Sequence, residues 1–279
     1  MIKTVNTQKM IMEYTDTKNA PISFLCEDQE IYYAKYIQEP NEFDCLVYEL
    51  ACNKIAELIG LKIPEMAFIY ISENSLAHSR IKNYGNIRFF KEGITAFGVK
   101  EIPYVDMVTN LPLINKKSDF KKLNNPYDLI SIAIFDMHIG NKDRHPGNFN
   151  LLLSKGKTKT IYAIDHYDTF GGLDYLGKIN PNHYFSVDNT ILRADIVREL
   201  IIKYYDIHAV VDLVKKYTYI CNPKQINALL DELFNQIPKT WQLSATLKDD
   251  MLALLTNTDR IRGIEESVKE FIQLIKKTY

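Results

Sequence analysis

A polar loop between an apolar helix and an apolar strand carries the residues that are best suited to chemistry. The loop reads Gly140-Asn-Lys-Asp-Arg-His-Pro-Gly-Asn148, and Asp165 follows at the end of a later apolar run. Phosphoryl transfer uses a carboxylate that accepts the proton of the attacking hydroxyl, an Asn that binds a divalent ion and a second Asp that binds the ion bridging the phosphates. Asp143, Asn148 and Asp165 have that order and spacing, so they predict a phosphoryl-transfer site.

The N-terminal part of the chain contains a lysine and a glutamate that suit the same reaction. Lys35 lies in the aromatic and β-branched run Ile31–Ile37, which predicts a strand. A strand lysine that contacts nucleotide phosphates pairs with a glutamate on the following helix. Glu49 lies on that predicted helix, and Glu42 and Glu57, near the two ends of the helix, are the alternatives. The loop chemistry favours this paired role over two ordinary surface charges.

Turn signals and apolar spacing predict the elements that position the lysine and the glutamate. Apolar residues recur at helical spacing from Phe43 to Ile59, and Gly60 ends the helix. Phe97-Gly98 and Pro103 indicate turns. Strands are predicted at Ile22–Leu25, Ile31–Ile37 and Met66–Ile71, the first two forming a hairpin.

Helices dominate the chain after Pro126. One predicted helix contains Leu129, Ile130, Ala133, Ile134 and Met137 and leads into the polar loop. The strand-like runs Phe149–Leu153 and Ile161–Ile164 follow the loop and are joined by a hairpin turn. Further helices are predicted at Ile191–Tyr205, Ile207–Tyr219, Pro223–Gln236, Leu247–Thr256 and Asp259–Lys277, with Asp259 as the N-cap of the last one.

Charge and cysteine content exclude several classes of protein. Among 279 residues, 34 are Lys or Arg and 35 are Asp or Glu, which argues against a basic nucleic-acid-binding protein. The four cysteines form no C-x-x-C pair and are too few for a disulfide framework. The N-terminus lacks a secretory apolar segment, and no apolar run reaches the roughly 18 residues of a membrane span. These features predict a soluble cytoplasmic protein with no direct nucleic-acid partner.

The sequence resembles the HipA-like Ser/Thr kinases of bacteria over most of its length. The loop Ile139–Asn148 is the most specific part of this resemblance. The other matching segments are Tyr33-Ala-Lys35, the helix with Glu49, Gly60-Leu-Lys-Ile-Pro64, Tyr162-Ala-Ile-Asp165 and Ile237-Pro-Lys-Thr-Trp241. Type II phosphatidylinositol 4-kinases have a related pattern and supply the second substrate class.

The resemblance implies an α+β, two-lobed protein-kinase-like fold. The implied N-lobe, residues 1–110, has a small antiparallel sheet and one helix. The implied C-lobe, residues 111–279, is larger and mainly helical. It contains the catalytic loop at 140–150, a metal-binding segment at 162–168 and a helical subdomain at 190–279.

The resemblance also implies an ATP-dependent Ser/Thr protein kinase with a role for each residue of the motif. Asp143 is the catalytic base or the carboxylate that orients the hydroxyl. Asn148 and Asp165 hold Mg²⁺. Lys35 contacts the ATP phosphates and is held by Glu49. The γ-phosphoryl group of ATP passes to a Ser or Thr hydroxyl of a protein substrate.

Three further residues receive roles in this resemblance. Arg144 and His145 brace the catalytic loop, with direct action of His145 on the substrate as the alternative. Ser23 is the candidate for autophosphorylation in the phosphate loop near Thr17–Ser23. That loop has no glycine, since the first glycine of the chain is Gly60, so its backbone must approach phosphate without the freedom that glycine gives.

The metal motif also departs from the family pattern of eukaryotic kinases. Asp165 is followed by His166-Tyr167, so a switch of the eukaryotic activation-loop kind is not implied. Asp168 is a competitor for the metal.

Other functions stay open at this point. A pseudokinase or nucleotide-binding interaction module would keep the fold without the reaction, and a lipid kinase would use another acceptor. A growth-arresting toxin would have an antitoxin partner, and an effector exported without a signal would act elsewhere. A zinc site drawn from His138, His145, His166 and His183 is disfavoured because the chain has no H-E-x-x-H and no cysteine pair.

Overall fold

The computed structural model of the protein describes residues 1–14, 21–36, 43–76, 90–108, 121–145, 147–171, 179–180 and 190–278. Several predicted features lie outside these residues. They are Thr17–Ala20 of the phosphate loop, Ile37, Glu42, His183 and the predicted lobe boundary at 110–111.

Five strands of the N-terminal part form a closed barrel. They are β1 (Lys3–Glu13), β2 (Ile22–Cys26), β3 (Ile31–Lys35), β4 (Met66–Tyr70) and β5 (Thr95–Lys100), in the order β1-β2-β3-β5-β4. The predicted hairpin of β2 and β3 is confirmed. The prediction of an antiparallel sheet is wrong for one pair of strands. β4 pairs with β1 in parallel, and this pairing closes the barrel.

Two of these strands were not predicted from the sequence. β1 buries few of its side chains, so its apolar residues do not alternate in the way that marks a strand. Phe97-Gly98 was expected in a turn but lies inside β5, where Gly98 pairs with Ala34 and Ala67. A Cβ atom on Gly98 would lie 2.4 Å from Ile69 Cγ1, so the tight barrel interior explains this glycine.

The outer face of the barrel packs against helix α1 (Phe43–Ile59). Because side chains alternate along a strand, Ala34 points into the barrel while Lys35 and its neighbour Phe97 point outward. α1 is buried along most of its length, with Glu49 on the buried surface. The packing therefore brings the lysine strand and the glutamate helix together.

A second, antiparallel sheet follows the barrel in the chain. It consists of β6 (Val105–Met107), β7 (Leu151–Ser154) and β8 (Ile161–Ala163). β6 pairs with β7 even though it precedes residue 110. Helix α2 (Asp128–Ile139) ends at Gly140, which adopts the left-handed conformation (φ 67°) and donates its N–H to Asp136 O. This C-cap directs the chain from α2 into the polar loop.

The C-terminal part is helical, as the sequence predicts. A short 3₁₀ turn, Ile191–Arg193, precedes the helices α3 (Asp195–Tyr204), α4 (Ile207–Ile220), α5 (Pro223–Phe234), α6 (Leu247–Leu255) and α7 (Thr258–Thr278). The predicted N-cap of α7 is wrong by two residues. Asn257 Oδ1 accepts the N–H of Arg260, so Asn257 is the cap and Asp259 lies in the first turn.

The close contact at Gly98 gives a direct test of the barrel packing. We expect Gly98→Ala to lower the free energy of unfolding by about 1–3 kcal/mol, because the added methyl group overpacks the interior. The same substitution should cost much less in an Ile69→Ala background, since the clashing side chain is then absent. Urea unfolding of the four proteins measures both values. An equal cost in the two backgrounds would show that Ile69 does not set the constraint.

Candidate active site

Three charged side chains from distant parts of the sequence meet at the edge of the barrel. The Lys35 ammonium group donates to a carboxylate oxygen of Glu49, and it lies 2.8 Å from Asp165 Oδ1. The Glu49 side chain is 2% exposed and the Lys35 side chain 14%, whereas Asp165 is 34% exposed. The cluster is therefore closed on the side of α1 and open on the side of Asp165.

The three groups set one another's ionisation. Burial alone would lower the pKa of Lys35, but the charges of Asp165 and Glu49 outweigh it and raise the pKa above 10.5. Burial raises the pKa of Glu49 even though Lys35 opposes the shift. Burial also opposes the ionisation of Asp165, yet the Lys35 charge lowers the pKa of this carboxyl below 3.8. Lys35 therefore favours the ionised form of Asp165.

The backbone turns sharply at Asp165 so that its side chain reaches Lys35. Asp165 follows β8 and has a left-handed backbone (φ 58°). Asn150, which precedes β7, is also left-handed (φ 44°). Asp and Asn tolerate this conformation better than other residues with a Cβ atom, which explains their use at the ends of two paired strands.

Hydrogen bonds hold the polar loop around Asp143. Its Oδ2 atom accepts a hydrogen bond from Asn150 Nδ2 at 3.1 Å, and its backbone N–H donates to Asn141 Oδ1 at 2.9 Å. His145 and Asn148 exchange two backbone hydrogen bonds, which close the loop. Asn148 Nδ2 donates to Asp143 O, so the amide oxygen of Asn148 points away from that carbonyl group. The Asp143 carboxylate is half-buried and fixed in direction.

Arg144 is the structural centre of the loop. Its side chain is fully buried and forms an ion pair with the equally buried Asp136 of α2, with Arg144 Nε 2.8 Å from Asp136 Oδ2. The guanidinium group also donates to Phe149 O, Asn150 O, Ile164 O and His166 Nε2. One side chain thus ties α2, the polar loop and the segment with Asp165 into a single unit.

Burial makes the charged form of the Arg144–Asp136 ion pair costly. Burial raises the pKa of Asp136 to about 6, although Arg144 and Asn141 favour the charged carboxylate. A buried ion of this kind needs its partner, because an uncompensated charge inside a protein is costly.

His166 connects the same unit to α1. Its backbone N–H donates to Glu49 Oε2 at 3.1 Å, and its Nδ1 atom hydrogen-bonds to Asn53 Oδ1 at 3.0 Å. Because a guanidinium group can only donate, His166 Nε2 must accept from Arg144, and the ring proton is on Nδ1. Burial lowers the pKa of His166 well below 6.5, so the ring is neutral. The residue after Asp165 is therefore locked to both α1 and the loop.

The side-chain oxygen atoms of Asp165 and Asn148 are of a kind that fits a magnesium-bound nucleotide. Mg²⁺ prefers carboxylate and amide oxygens and takes its remaining ligands from phosphates and water. The Asp165 carboxylate and the Asn148 amide oxygen are of that kind, and Lys35 provides a charge for phosphate. Across the described ranges, no group of three or more His, Cys, Asp or Glu side chains forms a metal cage.

The zinc alternative is not supported by the histidines that the structure describes. Both ring nitrogens of His138 are hydrogen-bonded, to the Tyr217 hydroxyl and to Leu255 O. Both ring nitrogens of His166 have partners too.

A family model described as HipA-like kinase matches residues 8–270 of the chain. The chain belongs to the HipA-like kinase family. The resemblance seen in the sequence is thereby confirmed. None of the curated proteins that were compared with this HipA-like kinase matches it significantly.

Three solved structures are similar to this chain to different degrees. A crystal structure of the Helicobacter pylori proinflammatory kinase CtkA is 15% identical, and the match covers 98% of this chain and 99% of that chain with a TM-score of 0.56. The golgi casein kinase is 12% identical (99% and 74% covered, TM-score 0.48). HipA in a Shewanella oneidensis MR-1 complex with HipB and operator DNA is 11% identical (96% and 65% covered, TM-score 0.44). The first of these shows a kinase fold.

The structure brings three of the eight predicted site residues of this HipA-like kinase into contact. These are Lys35, Glu49 and Asp165, whereas the alternative Glu57 pairs with Lys54 on α1. Four more lie in one loop, where Arg144 is buried and the His145 side chain is exposed; the loop residues are Asp143, Arg144, His145 and Asn148.

Ser23 lies on β2, opposite Tyr33 of β3, and so shares the sheet face of Lys35. Its side chain is 1% exposed and its hydroxyl donates to Met12 O at 3.3 Å. In this conformation the hydroxyl is not accessible to a phosphate donor.

Sequence reasoning missed several residues that support the site. They are Asp136, Asn150, Asn53 and His166, whose side chains hold Arg144, Asp143 or one another. Asp136 carried a signal, since a carboxylate on the apolar face of a predicted helix needs a buried partner. The other three carry no signal in the sequence alone.

The buried ion pair of Arg144 predicts a large stability effect. We expect Arg144→Ala to lower the free energy of unfolding by about 3–5 kcal/mol, because the Asp136 carboxylate loses its countercharge inside the protein. Denaturant unfolding measures the change. Arg262→Ala is the control, since Arg262 pairs with Asp259 on the exposed surface and should change little. Equal small losses in the two variants would contradict the central place given to Arg144.

Proposed function

We propose that this HipA-like kinase is an active Ser/Thr protein kinase that uses Mg²⁺ and ATP. The observation that carries the proposal is the contact of the Lys35 ammonium group with both Glu49 and Asp165. In that contact the positive charge of Lys35, proposed to bind phosphate, lies beside the ionised carboxylate of Asp165, proposed to bind the metal. The family membership supports the same class of reaction.

The proposed nucleotide site lies at the cluster of Lys35, Glu49 and Asp165. When bound, the magnesium nucleotide would supply the γ-phosphoryl group that is transferred. Lys35 would bind phosphate oxygens, and Glu49 would keep the ammonium group in place from the buried side. Asp165 and Asn148 would bind the metal through their side-chain oxygens. Ser23 lies on the sheet face of Lys35 but would have to become exposed before it could accept a phosphoryl group.

Asp143 is the proposed base. Its Oδ2 atom is held by Asn150, which leaves the other carboxylate oxygen to accept the proton of a Ser or Thr hydroxyl. Arg144 and the backbone of His145 would keep this loop in shape and would not contact the reacting atoms. A general base of this kind contributes about 10²–10⁴ to the rate.

The larger organisation belongs to the same proposal. We propose two lobes with the site between them. The predicted division falls at residues 110–111, and the pairing of β6 with β7 favours an earlier division, between β5 and β6. The four cysteines are buried thiols that form no disulfide, which supports a reducing compartment such as the cytoplasm. Among the described helices, none is long and apolar enough to cross a bilayer. A toxin role with an antitoxin partner stays a prediction from the resemblance.

Two variants separate catalysis from nucleotide binding. We expect Asp143→Asn to lower the rate of phosphoryl transfer by about 10²–10⁴-fold and to spare nucleotide binding, because Asp143 acts only on the hydroxyl. We expect Asp165→Asn to abolish magnesium-dependent nucleotide binding. Labelled ATP with a generic protein acceptor measures transfer, and calorimetric titration with and without Mg²⁺ measures binding.

Asp168→Asn is the matched control, because Asp168 lies three residues after Asp165 and was the alternative metal ligand. It should keep both activities. Loss of binding in Asp168→Asn and not in Asp165→Asn would contradict the metal assignment. Nucleotide binding by the wild type without any transfer would favour a pseudokinase, and transfer to phosphatidylinositol vesicles alone would favour a lipid kinase.

A further inference from the structure

The segment between α5 and α6 makes contacts far from its place in the sequence. We call residues 236–244 the brace segment. Gln236 Oε1 accepts the N–H of Ile2 at 2.6 Å, just before the first strand of the barrel. Further along, Trp241 and Ser244 contact the barrel and the first turn of α1. A piece of the helical part of the chain thus touches three elements of the N-terminal part.

Trp241 is the apolar anchor of the brace segment. Its ring is stacked on Phe43 at a centroid distance of 6.0 Å and meets Phe68 of β4 edge-on at 5.8 Å. Its indole N–H donates to Thr95 O of β5 at 2.9 Å. The side chain is almost fully buried. One residue therefore fixes the start of α1 against two strands of the barrel.

Asp44 provides the polar part of the same contact. Its carboxylate is buried and accepts hydrogen bonds from both the backbone N–H and the hydroxyl of Ser244. A buried carboxylate requires such partners, since an unsatisfied one would be costly. The first turn of α1 is thus tied to the brace segment by a charge-assisted pair of hydrogen bonds.

The position of Glu49 depends on the same helix. Glu49 lies five residues after Asp44, about 7.5 Å along the axis of α1. The contact of Glu49 with Lys35 requires α1 to lie at one depth and one rotation against the barrel. The brace segment controls both at the N-terminal end of the helix, and the backbone of His166 holds Glu49 itself.

We propose that the brace segment positions α1 so that Glu49 stays engaged with Lys35, with Asp44, Trp241 and Ser244 as positioning residues. In this kinase the C-terminal part of the chain itself holds the glutamate helix in the engaged position. The inference about helix position stands on the contacts alone. Its consequence for the reaction rests on the proposed kinase function.

Hydrogen exchange of α1 tests the inference without any activity. We expect the amides of the first turns of α1 to exchange at least about tenfold faster in Ser244→Ala than in the wild type, because Asp44 loses the hydroxyl and keeps only the backbone N–H of its two hydrogen bonds to residue 244. Thr246→Ala is the matched control, since its hydroxyl bonds only to the nearby exposed Asp250. The control should behave as the wild type. Equal protection of α1 in all three proteins would overturn the inference.

A double-mutant cycle in the transfer assay tests how the brace acts. We expect Ser244→Ala to lower kcat by about tenfold through misplacement of Glu49, and to have almost no further effect in a Glu49→Gln background. Asp44→Asn should retain most of the activity, because its side-chain oxygen still accepts the Ser244 N–H, whereas Asp44→Ala should not. An equal loss from Ser244→Ala in both backgrounds would overturn action through Glu49.

The two experiments separate this inference from the proposed function. A wild-type protein without transfer activity would contradict the proposed function only, and the exchange rates would still decide whether the brace segment holds α1. Faster exchange in Ser244→Ala with unchanged kcat would overturn its role as a positioning element for the reaction.

Discussion

The Lys35 ammonium group between two carboxylates is the interaction on which the rest of the structure depends. A buried lysine is costly unless it is paired, and both of its partners come from distant segments. The barrel supplies the lysine, α1 supplies Glu49 and the turn after β8 supplies Asp165. The cluster can form only when all three elements have reached their final positions. The candidate site therefore forms only together with the complete fold.

Two buried networks meet that requirement at different positions along α1. Arg144 ties α2, the polar loop and the Asp165 segment together, and the neutral His166 links this unit to Asn53 and Glu49 of α1. At the N-terminal end of α1, Trp241 and Ser244 fix its first turn against the barrel. The charged groups of the site are thus held by hydrogen bonds to neutral or oppositely charged neighbours. The same hydrogen bonds and ion pairs set both the ionisation and the positions of these charged groups.

The sequence predicted the elements that have strong local signals. Apolar spacing with Gly60 marked α1, and the short loop between Ile22–Leu25 and Ile31–Ile37 marked the hairpin. The pairing of Lys35 with Glu49 was predicted because a lysine on a strand and a glutamate on the next helix form a known motif. β1 and β5 were missed because closure of the barrel, and not alternation, stabilises them, and Gly98 is explained only by the nearby Ile69. Asp136, Asn53 and Asn150 were missed because their partners are set by tertiary structure.

The most direct test of this account is the titration of the Lys35 side chain, followed by nitrogen NMR of its ammonium group. The account predicts that Lys35 stays protonated to a pH above 10.5, because Asp165 and Glu49 outweigh its burial. In Asp165→Asn the same group should lose its proton at lower pH than in the wild type. A wild-type Lys35 that titrates at or below 10.5, with no change in Asp165→Asn, would contradict the paired cluster at the centre of the structure.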